Sequence, residues 1–278
     1  MGQKFSRVLT IKLFRKKNCM GINVIDEDDI DKMQLQHHLL REYWKGNFSA
    51  PVREILSIDG TKVLDVGCGP GTWTCEMSSD FSKANYTAID INSMFPIIKP
   101  KNVEFVQCDI LKGLPFDDNT FDYVFLRFLI IHLTEIEWET IVIRELCRVC
   151  KPGGWIELME PMNELRNTGP VTSKLCEKFH TRIRNQKRNF SRFHELMIEN
   201  HLININHQCR EMPFGLNDIK SELGLDIMRE RLKKHLQFER VYKGKIEDML
   251  NKVAVEAKVH NTYIETHRFW GQKELSSY

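Results

Sequence analysis

Apolar residues near the start of the chain recur every three or four positions, and from residue 62 onward they gather into short unbroken runs. Ile30, Met33, His37, Leu40 and Trp44 share one helical face, which predicts an amphipathic helix with Asp28 or Asp29 as its cap. Phe48-Ser49-Ala50-Pro51 predicts a second short helix with Pro51 in its first turn. The unbroken runs at 62–66, 86–90, 103–107, 123–127 and 155–160 predict strands. Ile136, Ile143, Leu146 and Cys150 are among the apolar positions of a helix over 135–150, which Lys151-Pro152-Gly153-Gly154 ends. Strands alternating with helices need crossover connections, so the expected core is a mostly parallel sheet covered on both faces. After residue 160 the signal weakens. Helical patterning recurs at 190–200, 217–236 and 245–260, with strand-like alternation at 202–207 and 262–270.

A chain of 278 residues has room for one elaborated α/β domain, or one with a helical appendage. Hydrophobic content of 42% excludes general disorder, and a formal charge of +2 gives no global field to recruit nucleic acid. Eight cysteines without a secretory signal read as reduced, buried thiols of an intracellular protein. Cys147 and Cys150 form a C-x-x-C with no second pair at zinc spacing, so they read as core residues and no metal is expected. No apolar run reaches the length of a membrane span.

Charge divides the beginning of the chain. Residues 1–25 carry Lys4, Arg7, Lys12, Arg15, Lys16 and Lys17 and no acid; Asp26, Glu27, Asp28, Asp29 and Asp31 then follow. The break predicts a basic tail over 1–25 and a folded body over 26–272, with 273–278 as a second tail. Met1-Gly2-Gln3-Lys4-Phe5-Ser6 fits the N-myristoylation pattern, and the six basic residues would reinforce a lipid anchor on an anionic leaflet. That gives a cytoplasmic protein with membrane association through Gly2. A plain disordered basic tail, a mitochondrial transit peptide and a nuclear location stay open. A further basic stretch, Arg182, Arg184, Lys187, Arg188 and Arg192, reads as a solvated helix face or an anionic-substrate patch.

The most informative segment is Val63-Leu64-Asp65-Val66-Gly67-Cys68-Gly69-Pro70-Gly71-Thr72, a buried strand entering a glycine turn and then a helix. Glycines permit the sharp bend and let a ligand approach the backbone. Asp90 ends the next strand about 20 residues on, where a carboxylate can accept from ribose hydroxyls. Asp109 follows the third strand, placed to accept from a base amino group or to cap a helix. The turn lacks the third glycine of a dinucleotide fingerprint, and Asp65 would repel a pyrophosphate. The same carboxylate favours an α-ammonium and a sulfonium, which tilts the choice to S-adenosylmethionine over NAD.

The runs VLDVGCGPGT, YTAIDI, VQCDI, FDYVFLRFLIIHL and LCRVCKPGGWIEL, in this order, resemble the class I S-adenosylmethionine-dependent methyltransferases. LQHHLLREYWKGNFSAPV, NTGPVTSK and HRFWGQK are similar to a fungal subgroup related to regulators of secondary metabolism. The resemblance implies a three-layer Rossmann-like α/β fold. Its sheet has seven mostly parallel strands with the last antiparallel, N-terminal lid helices at 26–57, a cofactor-binding core at 58–160 and a helical substrate region with the final strands at 161–272. It implies that Gly67, Cys68 and Gly69 surround the methionine moiety near Asp65, that Asp90 and Ile91 hold the ribose, and that Asp109 and Ile110 hold the adenine. It also implies that Arg127 lies beside cofactor and substrate, and that the helix bearing Gln34, His37 and His38 is the lid. The chain departs from base-modifying relatives, since Arg127-Phe128-Leu129 stands where they carry Asn-Pro-Pro-Tyr; nucleic-acid bases are not the expected acceptor.

An in-line methyl transfer needs positioning and exclusion of water, with a base only for some nucleophiles. His132 and Glu160 stand at the correct sheet edge for that role, and each also reads as a structural residue. The leading expectation is a methyltransferase acting on a small molecule or a protein. The alternatives are a cofactor-binding regulator with little turnover and a nicotinamide oxidoreductase. Acceptor and oligomeric state are not legible.

Overall fold

A computed structural model describes residues 27–130, 132–182, 191–238 and 246–275. The basic tail 1–25, and Arg184, Lys187 and Arg188 of the second basic stretch, lie outside the described residues. The chain opens with α1 (Glu27–Trp44) and the single turn α2 (Arg53–Leu56). It then runs through β1 (Lys62–Val66), α3 (Thr72–Asp80), β2 (Asn85–Asp90), β3 (Val103–Gln107), a 3-10 turn at Ile110–Lys112 and β4 (Phe121–Arg127). Next come α4 (Glu135–Glu137), a π-turn over Trp138–Val142, α5 (Ile143–Val149) and β5 (Cys150–Arg166). The remainder is α6 (Pro170–Arg182), α7 (Ser191–Glu199), β6 (Leu202–Pro213), α8 (Ile219–Phe238), α9 (Ile246–His260) and β7 (Tyr263–Lys273).

One seven-stranded sheet has the order β3-β2-β1-β4-β5-β7-β6. β1 to β5 pair in parallel, and β7 inserts antiparallel between β5 and β6. Alternation along the strands builds the three layers. Leu64, Val66, Val124 and Leu126 face a core completed by Ile143, Leu146, Phe193 and Met197. Val63, Tyr123 and Phe125 face the other way, onto Trp73, Met77, Leu40 and Trp44. A satellite core, with Leu175, Leu225, Met228, Leu250 and Val253, joins α6, α8 and α9 into a helical lobe. Cys147 and Cys150 are buried in the first core, and burial pushes both thiols up to about 12. No helix among the described residues is long and apolar enough to cross a membrane.

Four local expectations need correction. The second helix starts at Arg53, after Pro51, because the N–H groups of Ser49 and Ala50 turn onto the buried carboxylate of Glu157 (2.8–3.0 Å). β2 and β3 are joined by an irregular loop, since Pro96 and Pro100 deny a crossover helix its backbone donors. The helix over 135–150 is interrupted by the π-turn, which leaves Trp138, Val142, Ile143 and Leu146 all buried. β5 does not end at Glu160: Leu165 and Arg166 still pair with Ile264 and Tyr263 of β7.

Candidate functional site

β1 is buried from Val63 to Val66 and delivers the chain into the glycine turn. Gly67, Gly69 and Gly71 have φ of 71°, 57° and 73°, the left-handed region that side chains resist. A Cβ on Gly67 would also lie 2.8 Å from Leu129 Cδ2, so a side chain there is strained and must displace Leu129. The turn is tied to β2: Gly67 and Cys68 donate to Ile89 O at 2.8 and 2.9 Å, and Gly69 donates to Asp90 Oδ2 at 3.0 Å. Gly71 donates back to Cys68 O at 3.0 Å, and Pro70 has no N–H. No donor of the turn itself is left for a diphosphate. Burial, with Asp65 and Asp90 close by, pushes the Cys68 thiol well up, so it stays protonated and is no nucleophile.

Three carboxylates stand at the ends of three adjacent strands. Asp65 is buried on β1 and accepts from the Thr74 hydroxyl of α3. Asp90 ends β2; its second oxygen accepts from Asn92 N at 2.8 Å, and exposed Ile91 sits beside it. Asp109 follows β3 and caps the 3-10 turn, Oδ1 accepting from Leu111 N at 3.1 Å, with Lys112 Nζ 3.7 Å from Oδ2; Ile110 is buried below. The cap reading of Asp109 is therefore realised with one oxygen. At the usual spacing of strands, about 4.8 Å, this row extends roughly 10 Å along the sheet edge. Thr72 Oγ1, in the first turn of α3, is buried and without a hydrogen-bond partner.

Burial raises Asp65 to about 6, with the Thr74 bond and the Arg127 charge acting the other way. Arg127, at the end of β4, is lowered by burial to about 10 and remains a cation at neutral pH. Its Nη1 lies 3.2 Å from His37 Nδ1. Burial, and then Arg127, lower His37 to about 4, so the imidazole is neutral, accepting at Nδ1 and donating from Nε2 to Glu76 of α3. Arg41 donates to the same carboxylate. The group His37, His38 and Glu76 has the spacing of metal ligands, but two guanidinium groups already occupy it. On its other side α1 is joined to α8 by Asp29–Lys234, Lys32–Glu230 (3.5 Å) and Gln36–Arg231 (2.7 Å). Met33 Sδ lies 3.6 Å from where a Cβ of Gly69 would be, so α1 covers the turn. Of the residues expected on this helix, His37 points inward, while Gln34 and His38 are exposed.

Met33, Arg41 and Glu76 were not anticipated from the sequence. The available signal for Glu76 was its isolation, as the one charge on α3 before Asp80. The two candidate bases separate. His132 is exposed on the turn after β4, its backbone N–H donating to Leu129 O at 2.9 Å. Glu160 is fully buried, and its oxygens accept from Leu129 N (2.8 Å) and Ile130 N (3.1 Å). It holds the turn in which Phe128 takes a left-handed φ of 60° and Leu129 is pressed against Gly67. Glu160 is thus a backbone anchor and not a base facing the cleft.

Residues 63–154 match the family profile described as a methyltransferase domain. The chain is similar to verN, an N-methyltransferase of Clonostachys rogersoniana, with 34% identity over 166 residues, 56% of this chain and 54% of that protein. It is also similar to a demethylmenaquinone methyltransferase of Staphylococcus aureus, with 38% identity over 108 residues, 36% of this chain and 43% of that one. The chain spans about half the length, or less, of these curated relatives. Among solved structures, phosphoethanolamine N-methyltransferase 2 of Haemonchus contortus in complex with S-adenosyl-L-methionine has a TM-score of 0.53 at 18% identity, covering 87% of this chain and 52% of that one. The fold is therefore the Rossmann-like fold of methyltransferases. Residues 63–154 thus carry a methyltransferase domain on that fold.

Proposed function

We propose that the protein binds S-adenosylmethionine at the glycine turn and transfers its methyl group to a small-molecule acceptor. The observation that carries this reading is the row Asp65, Asp90 and Asp109 beside a turn whose own N–H groups are all taken. Carboxylates suit hydroxyls, an amino group and positive charge, and they repel a diphosphate. Asp90 would hold the ribose diol with the lone pairs that Gly69 and Asn92 leave. Asp109 would accept from the adenine amino group, between Ile91 and Ile110. Asp65 would face the positive end, and the unpartnered Thr72 hydroxyl offers a further polar contact. The cofactor supplies an electrophilic methyl group on a sulfonium. The protein's own work is then alignment and exclusion of water. α1 roofs the turn through Met33, and Arg127 and His37 fasten that roof to β4 and α3. The demethylmenaquinone methyltransferase named above takes a small molecule by its name, which favours an acceptor of that class over a protein.

Thermal unfolding with candidate ligands tests the reading. At a hundred times its dissociation constant a ligand adds about 2.7 kcal/mol, which should raise Tm by roughly 5–10 °C in a domain of this size. We expect that rise with S-adenosylmethionine and with S-adenosylhomocysteine and not with NAD. Transfer of label from the methyl-labelled cofactor to small molecules of a cell extract is the second readout. A shift with NAD alone, or cofactor binding without any transfer, would overturn the proposal.

A further inference from the structure

The loop between β2 and β3 presents an apolar tip that the methyl-transfer reading does not use. Parallel neighbours are usually joined through a helix whose apolar face packs on the sheet. Here the connection is Ile91 to Asn102 without regular structure, and its Ile97 and Ile98 are 97% and 91% exposed, the two most exposed large aliphatics described. The loop around them is fixed. Phe95 stacks on Phe105 with ring centroids 5.0 Å apart, and Pro96 Cδ lies 3.6 Å from where a Cβ of Gly71 would be. On the far side Lys99 donates to Val103 O, and Val103 N donates to Pro100 O at 3.2 Å. Two isoleucines are thus held outward between anchored flanks. Exposed Lys99 and Lys101 stand next to them, and no acid occurs between Asp90 and Glu104.

We propose that Ile97 and Ile98 insert into the surface of an anionic lipid bilayer, with Lys99 and Lys101 among the headgroups. An aliphatic tip with a basic collar matches the sequence of layers in such a surface, hydrocarbon beneath phosphate. The acid-free segment 1–25, with its six basic residues, supplies a second signal of the same sign. The tip itself adjoins the glycine turn. Pro96 lies against Gly71, and Met33 of α1 lies against Gly69. Docking there sets the rim of the glycine turn against the membrane. If the methyltransferase reading holds, the acceptor is then an amphipathic molecule reached from the interface; the docking itself does not depend on that reading.

Vesicle flotation of the unlipidated full chain tests it. Phosphatidylcholine vesicles are compared with vesicles containing about one-third phosphatidylserine. The wild type should float with the anionic vesicles and be released by high salt. The I97S/I98S variant should bind roughly tenfold less, since its tip no longer enters the hydrocarbon. Both positions are exposed, so Tm and the shift with S-adenosylmethionine should match wild type. Failure of the wild type to float, or equal flotation of the variant, overturns the proposal. So does a change of oligomeric state in the variant without a change in flotation, which would make the tip a protein contact. A missing cofactor shift in both proteins, with flotation as expected, would remove the methyltransferase reading and leave the docking surface.

Discussion

The two halves of the sheet use carboxylates in opposite ways. Asp65, Asp90 and Asp109 at the ends of β1, β2 and β3 accept one or two hydrogen bonds each. Glu157 and Glu160 on β5 are fully buried and saturated by backbone N–H groups of distant segments. Glu157 also accepts from the Tyr123 hydroxyl at 3.1 Å and faces Arg268 Nε at 3.6 Å. Arg268 in turn donates to Gly46 O (3.0 Å) and Ser49 Oγ (3.2 Å) and covers the Trp44 ring. On the proposed reading one set recognises and the other builds. What separates Asp90 and Asp109 from the two glutamates is exposure, since both aspartates are only partly buried; Asp65 is buried but accepts a single hydrogen bond.

The widest separation between the halves is expected from Glu157→Gln. The amide would present hydrogens to the N–H groups of Ser49 and Ala50 and leave Arg268 a buried charge without its counter-ion. Breaking such a pair costs about 3–5 kcal/mol, or roughly a 10 °C fall in Tm. The folded fraction should still bind S-adenosylmethionine with wild-type affinity by calorimetry. A variant that keeps its Tm and loses cofactor would place Glu157 in the recognising set and dissolve the contrast.

Asp90→Ala should give the reverse pattern. Losing a charged acceptor costs about 1.5–3 kcal/mol, so cofactor affinity should fall by roughly tenfold or more. Tm without ligand should fall less than in Glu157→Gln, because Asp90 and Asn92 are partly exposed whereas Glu157 is fully buried. Unchanged affinity would remove the ribose assignment.

Legibility in the sequence follows the same division. β1 to β4 were readable because each is a short apolar run, and the glycine turn because its spacing is local. Asp65 and Asp90 followed from their place next to it. The partners of α1 were not readable, since His37, Arg41, Glu76 and Arg127 meet only after the sheet is assembled. α6 escaped for a related reason. Its first turn is capped by Glu256 of α9, which accepts from Val171 N (2.9 Å) and Thr172 N (2.8 Å), a partner distant in sequence; the one local start signal is Pro170 in the first helical position. Glu160 was legible as a strand-edge acid but not in its role, because its partners on the turn after β4 are set by tertiary contact. The missing helix between β2 and β3 was in principle visible in Pro96 and Pro100.

The smallest expected effect is one of pH, and it bears on Asp65 alone. Burial raises its folded pKa from 3.8 to about 6, so the folded protein holds this proton more tightly than the unfolded chain. Stability from that proton is complete below about 4 and is lost as pH rises through 6; above that, the buried charge is a cost the apoprotein carries. A positively charged ligand facing Asp65 would relieve the cost by favouring the ionised form. Affinity for S-adenosylmethionine should therefore be flat above pH 7 and weaken below 6, approaching tenfold per unit, or about 1.4 kcal/mol. His37, at about 4, stays neutral over this range and adds no slope of its own. Asp65→Asn should bind more weakly at pH 7.5 and show a flattened profile. A wild-type affinity independent of pH between 5 and 7.5 would mean that Asp65 does not face the cofactor's charge, and would move it from the recognising carboxylates to the building ones.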